Sequence, residues 1–222
     1  MDNKQLLFID GIGREILSYI DDLQHKPFIS IDNFNPQNTV LVVVDVINGF
    51  TKEGTMASSK VAEIIPTVKV LMQNAISKGI KVLAFADCHT ECSSEFDTFP
   101  SHCLDGTSES EIVDELKSIK EYTLIKKNST NGFHAPDFQR FLKENPQVDN
   151  FIVCGDCTDI CVMNFCLTLQ TKFDQDNKSC EIVIPIDCVE TYDAPKHYSE
   201  LMNIMSLKLM ENAGVNLVLS IS

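Results

Sequence analysis

The sequence predicts an α/β protein: a six-stranded parallel sheet with helices on both faces, a Rossmann-like three-layer α/β/α arrangement. Three observations predict it. Apolar runs alternate along the chain with stretches of helical spacing. The runs are continuous and rich in β-branched residues, as strands buried on both faces require. The chain has 222 residues, enough for one sizeable core and short for two ordinary domains.

Each element has its own signature. "TVLVVVD" (39–45) is an unbroken β-branched run and predicts the first strand. "KVAEIIPTVKVLMQNAISKG" (60–79) has helical spacing, with Gly79 as its C-cap. "IKVLAFAD" (80–87) is a strand, followed by a polar loop to about Ser108. "SEIVDELKSI" (110–119) predicts a helix with acids near its start, and "YTLIKK" (122–127) a short strand. "APDFQRFLKEN" (135–145) is a helix with proline in its first turn. "DNFIVCG" (149–155) is a strand and "DICVMNFCLTLQTKF" (159–173) a helix. "CEIVIPID" (180–187), "PKHYSELMNIMSLKLMENAG" (195–214) and "VNLVLS" (215–220) complete the order as strand, helix and strand. Right-handed crossovers follow from this alternation. Residues 1–37 are expected to be an N-terminal helical extension and 38–220 the core of one domain.

Composition excludes several classes of function. Apolar content is 44% and charged content 23%, which is globular. The formal net charge of −14 argues against nucleic acid or an anionic membrane as partner. No apolar run approaches the roughly 20 residues that span a bilayer. The acidic, amphipathic first 22 residues, "MDNKQLLFIDGIGREILSYIDD", do not resemble a signal peptide. Nine cysteines are an odd number with no mark of secretion, so reduced thiols and a cytoplasmic location are expected. A homo-oligomer is expected.

In open parallel sheets, ligands bind outside the carboxyl ends of the strands. Asp45, Asp87 with His89, Lys127, and Cys154 to Cys161 all fall at such ends. Cys161 is expected in the first turn of a helix, capped by Thr158 or Asp159, where the helix dipole favours thiolate. The plain alternative is a buried helix cysteine. "CGDC" also matches a C-x-x-C redox pair, but Cys154 still lies in the strand. A structural zinc knuckle lacks a second convincing Cys/His pair. An Asp, a Lys and a Cys on one rim make a candidate hydrolytic triad: Asp45 to take the thiol proton, Lys127 to stabilise the anions. The loop "DCHTECSSEFDTFPSHCLDGT" (87–107) supplies Asp87, His89, Glu95 and His102. Two imidazoles and two carboxylates suit a divalent ion such as zinc, manganese or iron; the plain alternative is a polar loop with scattered histidines.

Four motifs together resemble the isochorismatase-like cysteine hydrolases, and the metal-binding nicotinamidases among them. "LVVVDVINGF" is similar to the first-strand acid motif, "IKKNSTNGF" to the lysine motif, with Lys127 six residues before Phe133, and "CGDCTDICV" to the G-x-x-T-x-x-C nucleophile motif. "DCH" through "FPSHCLDGT" is similar to the metal loop. The resemblance covers about residues 38–220. It departs at Glu95, where a third histidine is common, at Phe99, where tryptophan is frequent, and at "FPSHC", which replaces a double proline.

The resemblance implies nicotinamide hydrolysis through a thioester, with another small amide or ester as the alternative substrate. It implies Asp45 as general base and acid, Cys161 as nucleophile and Lys127 beside both. It further implies an oxyanion hole from the backbone N–H groups of Cys157 and Cys161, and a cis peptide joining Asp156 to Cys157. One divalent ion, zinc first, would be held by Asp87, His89, Glu95 and His102 and would orient the substrate ring between Phe50 and Phe99.

Overall fold

Thr39–Val44 (β2) is buried at every residue. Its side chains divide between two cores: Leu41 and Val43 enter one, and Val40, Val42 and Val44 the other. That division is what an unbroken apolar strand between two helical layers produces. The structure is a computed structural model and describes residues 2–222. Phe28–Ile29 (β1) precedes β2, and Lys81–Asp87 (β3), Thr123–Lys127 (β4), Asn150–Asp156 (β5) and Glu181–Pro185 (β6) follow it. Val189–Glu190 (β7), Asn216–Val218 (β8) and Ser220–Ile221 (β9) complete the strands among the described residues.

The main sheet runs β4-β3-β2-β5-β6-β8, and every pairing in it is parallel. The six expected strands form this path. A seventh, the two-residue β7, adds to β5 at Gly155 and Asp156. The last expected strand divides at Leu219: β8 stays in the main sheet, while β9 pairs with β1 in a separate two-stranded sheet.

The helices among the described residues are Asn3–Gln24 (α1), Asn48–Thr51 (α2), Ser59–Ala62 (α3), Ile65–Lys78 (α4), Asp114–Lys117 (α5), Pro136–Glu144 (α6), Met163–Gln175 (α7) and Ser199–Asn212 (α8). Three expectations need correction. The helix expected over 60–79 is two pieces, because Ile64 caps a new helix with Pro66 in its first turn. The helix expected over 110–119 shrinks to the single turn α5, preceded by a 3-10 turn at Ser108–Ser110. The helix expected from 159 opens on a π turn, Thr158–Val162, and α7 starts only at Met163.

Side chains of α4 and α5 pack on one face of the sheet; those of α6, α7 and α8 pack on the other, joined by Leu23 of α1. The sheet therefore has the expected layers. Strand order reverses between β2 and β5, so the crevice at their carboxyl ends is the topological switch point. There the two strands meet closely. Gly155 lies opposite Val44 with φ +111°, and a Cβ at 155 would sit 2.0 Å from the Val44 carbonyl oxygen. Only glycine combines that φ with that approach.

Candidate active site

Asp45 follows directly on β2 and adopts φ 54°, a left-handed turn that aspartate tolerates better than most residues. Lys127 ends β4 opposite Asp87, the last residue of β3. Strand alternation sends neighbouring lysines to opposite sides. Lys126 goes outward to Asp105 at 2.6 Å, whereas Lys127 is buried. Its ammonium lies 2.8 Å from Asp45 Oδ2, 3.1 Å from Asp87 Oδ1 and 3.8 Å from Cys161 Sγ, and it donates to the Ser129 carbonyl at 3.0 Å. Thus Asp45, Lys127 and Cys161, expected from three separate strand ends, lie together.

The electrostatics describe a neutral sulfur beside a carboxylate able to take its proton. Burial raises the Asp45 carboxyl, Lys127 opposes the rise and Asp87 adds to it; the result is pushed up to about 6. Burial also pushes the Cys161 thiol well up, against Lys127 and with Asp45 and Asp87. This direction runs against the thiolate that a helix N-terminus would favour. Cys161 rides on a π turn whose N-cap residue, Cys157, makes no side-chain cap bond, and burial of the sulfur is the largest cause of the rise. Thr158 and Asp159 do not cap the turn. Asp159 instead binds Thr191 and His197. The Asp156–Cys157 peptide bond is cis.

The four residues expected to bind metal also converge. One donor atom from each of Asp87, His89, Glu95 and His102 lies within 4.8 Å of the others. Their outer bonds aim them. His102 donates Nδ1–H to the Pro100 carbonyl at 2.7 Å, and His89 Nδ1 faces the Asn128 side-chain oxygen at 2.9 Å. Both rings therefore turn an Nε2 lone pair inward. Glu95 Oε1 accepts from the Thr130 N–H at 2.7 Å, which leaves Oε2 without a hydrogen-bond partner. Asp87 Oδ2 lies 3.1 Å from His89 Nε2 and 3.4 Å from His102 Nε2. Lone pairs and carboxylate oxygens packed this closely repel unless a cation lies among them. Burial disfavours a proton on His89, yet Asp87 prevails and raises its pKa. The cluster thus seeks positive charge, and this donor set fits a borderline divalent ion.

Between metal-type cluster and sulfur lies one pocket, walled by Phe50, Phe99, His102, Cys157 and Cys161. Phe50 and Phe99 each approach His102, with ring centroids 5.7 and 6.3 Å away. Sequence reasoning missed Thr130, Ile160 and Tyr192, which also line it. Thr130 lies three residues after Lys127 and Ile160 directly before Cys161, so position alone could have found them. Nothing in the sequence marks Tyr192.

Comparison with known proteins agrees with this architecture. The isochorismatase domain model matches residues 39–214. Nicotinamidase 1 of Arabidopsis thaliana is 31% identical over 234 aligned residues, covering 90% of this chain and 95% of that protein. The nicotinamidase structure from Bacillus subtilis superposes with a TM-score of 0.69 at 24% identity, over 82% of this chain and 99% of that one. The pyrazinamidase of Pyrococcus horikoshii, solved in complex with zinc, gives 0.67 at 25% identity over 82% and 98%. A domain match that begins at β2 and runs through the Cys161 turn and last helix, joined to this fold, makes the chain a member of the isochorismatase family.

Proposed function

We propose that the chain is an amidohydrolase that converts nicotinamide to nicotinate and ammonia through a thioester on Cys161. The observation that carries the reading is one pocket with a sulfur–carboxylate–ammonium group at one wall and a converging His/carboxylate cluster at another. The first group suits acyl transfer from an amide. The second suits a ring with a basic nitrogen. The names of the relatives support the same substrate class.

Asp45 takes the Cys161 proton as Sγ attacks the amide carbon; a carboxyl near 6 is close to the thiol's task at neutral pH. Lys127 keeps a positive charge beside both groups while the negative charge moves from carboxylate to sulfur and then to the carbonyl oxygen. The backbone N–H groups of Cys157 and Cys161 are the proposed donors to that oxygen. Asp45 returns its proton to the leaving nitrogen, and ammonia departs. The carboxylate then activates a water, which cleaves the thioester and restores the thiol. Phe50 and Phe99 hold the ring. A divalent ion on Asp87, His89, Glu95 and His102, zinc first, would supply a Lewis-acidic anchor for the pyridine nitrogen.

The test is ammonia release from nicotinamide, with and without a chelator. Release that falls on chelation and returns with zinc, manganese or iron is expected. No release from metal-loaded protein overturns the substrate.

A further inference from the structure

The turn Thr191–His197 is closed on itself and clamped to the π turn that carries the sulfur. Ala194 and His197 exchange backbone hydrogen bonds at 3.0 and 2.9 Å. Asp159, two residues before Cys161, accepts from Thr191 Oγ1 at 2.6 Å and meets His197 Nε2 at 2.8 Å. The other ring nitrogen, Nδ1, meets the Tyr192 carbonyl at 2.9 Å. Both imidazole nitrogens thus have a polar partner. The Tyr192 ring stacks flat on this imidazole, centroids 4.0 Å apart and planes within 2°. Tyr192 lines the pocket together with Cys157, Ile160 and Cys161.

The mechanism above uses none of these groups. A half-buried imidazole bonded at both nitrogens and covered on one face by a tyrosine ring is nevertheless a rigid support. The aromatic wall it supports lines the same pocket as the Cys161 sulfur.

We infer that Tyr192 sets the width of the pocket at Cys161, and that Asp159 and His197 are positioning residues that hold it there. The pocket then admits single-ring planar amides and turns away fused bicyclic ones. The inference rests on the reading above only in taking Cys161 as the reacting sulfur.

The test reads pocket width without relying on turnover. Alkylation of Cys161 by iodoacetamide and by the bulkier N-phenylmaleimide is followed by mass spectrometry of its peptide, and the ratio of the two rates is compared between variants. Tyr192→Ala should raise the bulky-to-small ratio at least about tenfold; Tyr192→Phe, which keeps the ring, should stay within about twofold of wild type. His197→Phe keeps a ring to stack on but removes both hydrogen bonds, and should raise the ratio about threefold or more. Asp159→Asn should move it the same way, and decides the positioning role should His197→Phe fail to fold. In parallel, Tyr192→Ala should gain on quinoline-3-carboxamide relative to nicotinamide, mainly through KM. An unchanged ratio in Tyr192→Ala overturns the wall. A changed ratio there, with no change in folded His197→Phe or Asp159→Asn, overturns the clamp. Size-dependent alkylation in a protein that leaves nicotinamide uncleaved keeps this inference and sinks the substrate.

Discussion

Lys127 Nζ lies 2.8 Å from Asp45 Oδ2, and neither side chain has any exposure to solvent. The same ammonium reaches Asp87 at 3.1 Å, so one buried cation serves two buried carboxylates. Removing it leaves both uncompensated, which typically costs about 3–5 kcal/mol. Lys127→Ala should therefore lower the urea midpoint strongly and abolish turnover. Lys126→Ala, which loses only an exposed pair with Asp105, should stay close to wild type in both. The reverse ranking would show that the wrong lysine faces the site.

Cys161→Ala should remove turnover while leaving the fold intact. Cys154 and Cys166 are fully buried in the two cores and do not line the pocket at Cys161, so alanine there should cost about 1–2 kcal/mol of stability and leave kcat nearly unchanged. Activity above a few percent in Cys161→Ala would remove it as nucleophile.

The acid limb of kcat/KM should break near the Asp45 value of about 6. The sign follows from the role. Burial favours the neutral carboxyl, so below that pH Asp45 is protonated and cannot take the thiol proton. The rate should then fall about tenfold per pH unit. A profile flat from pH 5 to 7 would mean that another group is the base.

Dialysis against a chelator should remove the ring anchor and leave the sulfur. His89→Ala and His102→Ala each delete a lone pair aimed at the cluster. Metal content by atomic emission should fall well below one equivalent in both. Nicotinamide kcat/KM should drop by orders of magnitude while iodoacetamide still labels Cys161. Benzamide, without the ring nitrogen, should be a poor substrate before and after. A chelated protein as active as the loaded one would exclude the anchoring role.

Much of the site was legible because strand ends carry their own signal. A charge closing an apolar run, as at Asp45, Asp87 and Lys127, stands out, and alternation separates Lys127 from Lys126. The metal-type loop was legible because four donors crowd into one short stretch. Elements shorter than a turn of periodicity were not. The two-residue strand Val189–Glu190 exists only through its pairing with β5, and the π turn at Thr158–Val162 keeps the apolar spacing of an ordinary helix. The break at Ile64 hides inside an uninterrupted helical pattern until Pro66 is given its weight. Tyr192 and His197 lie in a polar turn whose meaning comes from Asp159, more than thirty residues earlier in the chain.

Gly155 draws none of the chemistry and yet governs it. Any side chain there must push on the Val44 carbonyl, one residue before Asp45, while Cys161 lies in the turn just beyond the same end of Gly155's own strand. A random-substitution library screened for turnover should go silent at 155 as completely as at 161. Position 155 would read as a reagent when it is a spacer, and purified variants that still fold but no longer bring acid and sulfur into register would tell the two apart.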